Sequence, residues 1–272
     1  MSGASVDLGR ALEVARQLAR EAGELLRRGH DRPLHVRHKG EVDLVTDFDR
    51  RSEELVVRGL TRAFPDHTVI SEEGAEVHAR DEHAPLWYVD PLDGTTNYAH
   101  HHPWYAVSIG LELAGQPVLG VVLAPELGWE FFAARSRGAW RGAARLWVSD
   151  TPRLEQALVA TGFPYDRRNA ADNNVPELAG VIRRCQGIRR CGVASLDCAG
   201  VAWGILDAYW ERKLKPWDVA AGAAIVLQAG GRLSHPAGGP FAARHGDILA
   251  TNGHVHDELV TVLEEARRDA EL

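Results

Sequence analysis

The stretch Leu86-Trp87-Tyr88-Val89-Asp90-Pro91-Leu92-Asp93-Gly94-Thr95-Thr96-Asn97 decides how the rest of the chain is read. Leu86 to Val89 is an apolar run of strand length, and it ends in two aspartates three residues apart. Pro91 before the second aspartate and Gly94 after it predict a tight turn. Thr95 and Thr96 read as the cap and first turn of a short helix. A strand that delivers carboxylates to the start of a helix suits the joint binding of a hard metal ion and a phosphate.

Upstream, Leu8, Ala11, Leu12, Ala15, Leu18, Ala19, Ala22, Leu25 and Leu26 recur at helical spacing. They predict a first helix that ends at Pro33. A polar loop with Lys39 and Gly40 follows, then Val42 to Thr46. Thr46-Asp47-Phe48-Asp49 fits a capping box opening a second helix, which Pro65 stops. Thr68 to Ile70 reads as a strand running into Ser71-Glu72-Glu73-Gly74.

Downstream, Ala106–Leu113 and Pro117–Ala124, joined by Ala114-Gly115-Gln116, predict a hairpin. Trp129–Ala133 and Ala139–Trp147 extend the sheet. The pattern changes near Ser149 to Arg153, so residues 1–148 are expected to form a metal- and phosphate-binding domain and 149–272 one that completes the substrate site. In the second part, Val175–Cys185 and Ser195–Leu206 read as helices and Asp207–Arg212 as extended. Pro216–Ala229 is a helix with Pro at its start, Gly246–Thr251 a strand and Val255–Arg268 a closing helix. The expected fold class is α+β: a layered α/β/α/β/α sandwich with a large, mostly antiparallel N-terminal sheet and a smaller mixed C-terminal sheet.

Bulk composition narrows the function classes. The chain has 272 residues, 45% hydrophobic and 25% charged, as soluble globular proteins have. A net charge of -7 speaks against a dedicated binder of nucleic acid or of anionic membranes. The longest apolar run, around Val219 to Leu227, is half a membrane span. Cys185, Cys191 and Cys198 form no C-x-x-C pair and suit a reducing, cytoplasmic setting. His100, His101 and His102 lack metal-ligand spacing and read as a surface loop.

The acids carry the chemistry. Asp90, Asp93 and Glu72 each follow a strand and have no lysine near them in sequence. Any one of them alone could simply cap a turn. As a set beside Gly94-Thr95-Thr96 they suit Mg²⁺, which takes oxygen ligands, and a phosphate seated on backbone N–H groups. Asp49, as the third helical residue, is accounted for by capping on that stretch alone. Its carboxylate could also accept a hydrogen bond from a threonine hydroxyl elsewhere and help it take a proton from water. Asp218, in Trp217-Asp218-Val-Ala-Ala-Gly222, complements a helix start, or reaches across as a further ligand.

Taken in order, Asp43-Leu-Val-Thr46-Asp-Phe-Asp49, Ser71-Glu72-Glu73-Gly74, Asp90-Pro-Leu-Asp-Gly-Thr-Thr-Asn97 and Trp217-Asp218-Val-Ala-Ala-Gly222 resemble the inositol monophosphatase family of Mg²⁺-dependent, lithium-sensitive phosphatases. The resemblance runs over nearly the whole chain. It implies two or three Mg²⁺ ions: Glu72, Asp90 and the Leu92 carbonyl on the first, Asp90, Asp93 and Asp218 on the second, with Glu72 helping to place a third. It implies that Asp49 and Thr95 orient the attacking water, and that Gly94 and Thr95 N–H groups hold the phosphate. It further implies substrate contacts from Gly192, Val193, Ala194, Glu211 and Asp218, and a homodimer. Asp197 matches a position that could face a sugar hydroxyl. Val193 stands where the family usually has a hydroxyl residue, which bears on inositol specificity. The expected activity is hydrolysis of inositol monophosphate or a related small polyol or sugar phosphate. The rivals are a fructose-1,6-bisphosphatase on the same fold, and a regulatory binding protein, since some bacterial relatives act on transcription complexes.

Overall fold

In the computed structural model, which describes residues 6–30, 36–38, 44–77 and 84–270, the first helix lays its apolar stripe on a large sheet. Helix α1 (Leu8–His30) buries Ala11, Ala15, Leu18, Ala19, Ala22 and Leu26, the three-four series the sequence predicts. Strands β1 (Val36–His38) and β2 (Leu44–Thr46) form a separate ribbon. Pro33, Lys39, Gly40, Val42 and Asp43 lie outside the described residues. Helix α2 (Asp47–Ala63) opens at Thr46, whose hydroxyl accepts the Phe48 N–H at 3.1 Å. The Asp49 carboxylate accepts the Thr46 N–H at 2.8 Å, which closes the expected box.

The large sheet has eight strands: β3 (Thr68–Ser71), β4 (Glu76–Val77), β5 (Leu86–Asp93), β6 (Ala106–Leu113), β7 (Gln116–Ala124), β8 (Trp129–Ala134), β9 (Gly138–Arg141) and β10 (Ala144–Arg145). Its order is β10-β9-β8-β7-β6-β5-β3-β4. Only β3 and β5 pair in parallel; every other neighbour is antiparallel. Helix α3 (Thr95–Ala99) leaves the end of β5. The β6–β7 hairpin turns on Ala114 (φ 49°) and Gly115 (φ 71°). Both lie in the left-handed region, as the two-residue turn that matches strand twist requires.

The second sheet has five strands and is mixed: β11 (Leu158–Thr161), β12 (Gly187–Arg189), β13 (Ala208–Glu211), β14 (Arg232–Ser234) and β15 (Ile248–Thr251), in the order β12-β11-β13-β15-β14. Strand β11 runs parallel to both β12 and β13, while β15 is antiparallel to β13 and β14. The helices of this half are α4 (Val175–Val181), α5 (Ala194–Ala202), α6 (Pro216–Gln228) and α7 (His256–Ala270). The expected helix over 175–185 therefore stops at Val181, and the one over 195–206 stops at Ala202.

Three cores hold five layers together. One lies between α1, α2 and the large sheet, around Trp87, Ile109 and Leu119. The central core places α5 and α6 between the two sheets. The third packs α4 and α7 on the far face of the small sheet, around Trp210, Leu249 and Leu259. The alternation is visible in β13, where Tyr209 faces the central core and Ala208 and Trp210 face the outer one. The 148/149 boundary, which we keep as a proposal, falls in the unpaired stretch between the two sheets, and the central core crosses it.

Helix α6 lies against the large sheet at a pair of facing glycines, Gly110 on β6 and Gly120 on β7. A Cβ at Gly120 would stand 2.1 Å from the Ala221 carbonyl oxygen, and one at Gly110 would stand 2.7 Å from the Ala221 nitrogen. A side chain at either position would push the helix off the sheet. That approach sets where the start of α6, and with it Asp218, comes to rest.

Candidate active site

Parallel pairing of β3 with β5 sends both C-terminal ends to the same edge of the layer. Glu72 follows β3, and its N–H donates to the Val89 carbonyl at 3.2 Å, which fixes it beside Asp90. Between Asp90 and Asp93 the β5–β6 register shifts, so both aspartates reach one side although they lie three positions apart. Asp90 Oδ1 accepts the Leu92 N–H at 3.0 Å. The Pro91 carbonyl accepts the Ser52 hydroxyl at 2.8 Å, which pins the turn to α2.

The second half of the chain closes the site. Asp93 Oδ2 accepts the Ser195 N–H at 2.8 Å, across 102 residues. Asn97 donates to the Trp104 carbonyl at 2.7 Å and the Cys191 carbonyl at 3.0 Å. Asp218, third residue of α6, accepts the Lys215 N–H at 2.7 Å. Asp49 and Asp218 are thus placed by the same device, a carboxylate folded back on its own helix start.

A cavity of about 490 Å³ joins these parts. Glu72, Asp90, Leu92, Asp93, Gly94, Thr95, Gly192, Ala194, Glu211 and Asp218 all line it. Burial raises the carboxyls of Asp90 and Asp218 well above the usual range, and repulsion among Glu72, Asp90, Asp93 and Asp218 adds to the shift. Burial also pushes Asp93 up to about 6, against the pull of the Ser195 hydrogen bond. Crowded oxygen donors that resist ionisation are a donor set suited to a hard divalent cation, whose charge would offset the repulsion. Among the described residues they do not close into a tight three-ligand cage. Asp90, Asp93 and Asp218 each tie one oxygen to a backbone N–H.

Thr95 differs from its predicted role. The helix cap is Gly94, in the left-handed region at φ 92° and with no side-chain cap bond. Thr95 is the first helical residue instead, and its hydroxyl lies 3.1 Å from both Asp49 Oδ1 and the Leu92 carbonyl. Asp49 is fully buried. Burial raises its carboxyl, while hydrogen bonds from Thr46 and Thr95 favour the charged form.

Val193 does not line the cavity. It is fully buried, and a Cβ built at Gly94 would stand 2.8 Å from its Cγ2. Its side chain supports the back of the Gly94 turn. Asp197 is buried on α5, and it lines a separate small cavity of about 160 Å³ walled by Trp104, Trp129 and Trp203. Glu211 accepts the Tyr209 hydroxyl at 2.7 Å, and burial pushes it up to about 7. Gly162 makes room for it, because a Cβ there would stand 2.0 Å from Glu211 Oε2.

The sequence reading missed other residues that line this cavity: Phe163, Pro164, Arg167, Arg190 and Lys213. The only signal for them is Gly162-Phe163-Pro164, a turn whose strand β11 was itself unread. Of the three histidines, His100 lines the cavity, His101 bonds the His30 carbonyl at 2.6 Å, and His102 accepts the Trp104 N–H. No helix among the described residues is long and apolar enough to cross a membrane.

Known proteins share this arrangement. Residues 7–268 match the model of the inositol monophosphatase family. An inositol-1-monophosphatase of Synechocystis sp. is 42% identical over 94% of this chain and 90% of its own length. The Nus factor SuhB of Pseudomonas aeruginosa is 41% identical over 93% of this chain and 95% of its own. The solved inositol monophosphatase of Anabaena (Nostoc) sp. PCC 7120 superposes with a TM-score of 0.87 at 40% identity, covering 96% of this chain and 97% of that one. The ordered motifs, the two sheets and these likenesses agree: the chain belongs to the inositol monophosphatase family.

Proposed function

We propose that the protein is a Mg²⁺-dependent phosphomonoesterase acting on inositol monophosphate or a related small polyol or sugar phosphate. The observation that carries this reading is the convergence of Glu72, Asp90, Asp93 and Asp218, from two strands of the large sheet and from α6, on one cavity, beside Gly94 and Thr95. Glu72, Asp90, Asp93, Asp218 and the Leu92 carbonyl are the groups to hold Mg²⁺. Bound there, the cation would neutralise phosphate charge and lower the pKa of a water. Thr95 has one hydroxyl proton to give, and Asp49 Oδ1 accepts it, so the Thr95 lone pairs can orient a water and take part in moving its proton. The backbone N–H groups of Gly94 and Thr95 would hold phosphate oxygens, and Glu211, Gly192 and Ala194 would contact the rest of the substrate. Phosphoryl transfer asks for little beyond such positioning and charge compensation.

A panel of phosphate monoesters, including inositol 1-phosphate and fructose 1,6-bisphosphate, assayed with and without Mg²⁺ and lithium, tests the reading. Mg²⁺-dependent, lithium-sensitive release of phosphate from inositol 1-phosphate is expected. Activity confined to unrelated esters, such as a 3′-phosphonucleotide, would overturn the substrate class. A regulatory role has the names of the SuhB relatives in its favour. The full acid set favours catalysis as the main role.

A further inference from the structure

We propose that the cavity on the outer face of the small sheet is a second ligand site, and that it takes a free α-amino acid with an aliphatic side chain. The cavity measures about 200 Å³, and a dry cavity of ~150 Å³ already holds one benzene. Its walls come from four places: Trp210 and Arg212 from the end of β13 and the residue after it, Glu177 from α4, Leu263 and Arg267 from α7, and Pro236 from the turn after β14. Alternation along the chain separates it from the active cavity. Trp210 and Arg212 line the outer cavity, whereas Glu211 and Lys213 line the active one. The chemistry at the scissile phosphate makes no use of the outer cavity.

Part of the lining is apolar. Trp210 is fully buried, and its indole N–H donates to the Asn174 side chain at 2.7 Å, so the one polar atom of the ring is satisfied elsewhere. Leu263, Pro236 and Ala237 add further apolar surface. Charge stands around that surface in balance, because Arg212 and Arg267 line the cavity with Glu177 and Glu264. Arg212 and Glu177 are unusual for charged groups: their side chains keep only 15% and 4% exposure. Arg212 Nη1 lies 3.6 Å from Glu177 Oε1, and Arg267 Nη1 donates to that same oxygen at 3.2 Å. Both arginines also donate to Asp172 Oδ1 through Nη1, at 2.8 and 3.2 Å. Among the described residues these contacts run through Nη1 alone, which leaves the rest of each guanidinium fork to receive a carboxylate. Glu177 Oε2 is left in the same way to accept an ammonium. A lone anion or a lone cation would meet equal charge of both signs and gain little. A zwitterion satisfies both signs, and its aliphatic side chain covers the apolar surface. The turn at the rim is preformed: His235 Nδ1 accepts the Ala237 N–H at 3.0 Å, and its Nε2 lies 3.0 Å from Asp247 Oδ2.

Isothermal titration calorimetry of the full chain with leucine tests the site, beside 4-methylpentanoate, which lacks the ammonium, and 3-methylbutylamine, which lacks the carboxylate. Saturable binding of leucine is expected, with a matching rise in Tm. Both analogues should bind about tenfold or more weakly, the worth of one charge-assisted hydrogen bond. Arg267→Gln should weaken leucine to the same degree. If that variant melts below wild type, Arg267→Lys decides instead: it keeps the ion pairs and loses the planar fork, so leucine should still bind more weakly. Neither heat nor a rise in Tm from leucine, analogues that bind as tightly as leucine, or wild-type affinity in the folded variant would each overturn the site.

Discussion

Thr95 Oγ1 lies 3.1 Å from Asp49 Oδ1, while the other oxygen of that carboxylate accepts the Thr46 N–H at 2.8 Å and the Thr46 hydroxyl at 2.5 Å. One side chain therefore caps α2 and orients a hydroxyl 46 residues away. The two roles separate experimentally. Asp49→Asn should lower kcat by about 10²–10⁴-fold, the scale of general acid–base contributions, with a stability loss of only about 0.5–2 kcal/mol from the cap. Thr95→Ala should match it in kcat, and the double variant should be no slower than either single one. Additive losses would show that the pair does not act as a unit.

Asp93→Asn should abolish Mg²⁺-dependent phosphate release yet leave the metal-free protein at least as stable as wild type. The amide oxygen can still accept the Ser195 N–H, and one of the mutually repelling carboxylates is gone. A gain of about 1–2 kcal/mol is expected at neutral pH without metal, and the gain should shrink when Mg²⁺ is added. Thermal melts with EDTA and with Mg²⁺ read both parts; undiminished turnover would sink the assignment.

Gly120→Ala should destabilise by about 1–3 kcal/mol, the cost of overpacking, because its Cβ would collide with the Ala221 carbonyl oxygen. The same displacement of α6 moves Asp218. The Mg²⁺ concentration for half-maximal activity should therefore rise several-fold, although Gly120 does not line the cavity. Denaturant unfolding and a Mg²⁺ titration check the two effects. Lost stability with an unchanged Mg²⁺ response would detach α6 placement from the site.

His256 gives a pH dependence with a definite sign. It is fully buried; its Nδ1 lies 2.9 Å from the Thr251 hydroxyl and its Nε2 lies 3.0 Å from the Ser234 hydroxyl. Burial holds its pKa down at about 4. The unfolded chain binds this proton below about 6.5, so the stability contribution is present above that pH and is lost as pH falls towards 4. The loss is on the order of 2–3 kcal/mol. Raised carboxyls such as Asp93 act in the opposite direction, because the native state binds their protons more tightly. Comparing wild type with His256→Gln isolates the histidine: the variant should lose less stability between pH 7 and 4.5, and equal slopes would refute the assignment.

The large sheet was legible because its strands are long and its turns explicit: Ala114-Gly115 sits between two apolar runs, and Leu86 to Asp93 ends in its own punctuation. The small sheet was half hidden. Strands β11, β12 and β14 span three or four residues each, too few for a periodicity to stand out. They become strands through pairing, β11 with β13, β12 with β11 and β14 with β15. The boundaries of α4 and α5 were overrun for a related reason: helix-compatible residues continue past the last hydrogen-bonded turn.

The sequence by itself determined the acids and their local geometry. Asp49 and Asp218 are set by the backbone N–H three residues before them, and Asp90 by the Leu92 N–H in the turn that contains it. These are short-range bonds, fixed by neighbours and readable without a fold. Tertiary structure alone decided which groups face one another. It brought Ser195 to Asp93, Thr95 to Asp49, and α6 onto the Gly110–Gly120 pair. It buried Val193 outside the cavity lining and brought Arg167, Arg190 and Lys213 to the same cavity as the acids. Those relations depend on strand order and on the distance of closest approach between layers. Such quantities arise only when distant segments pack, so no local pattern in Leu86 to Asn97 could have shown which distant residues share its cavity.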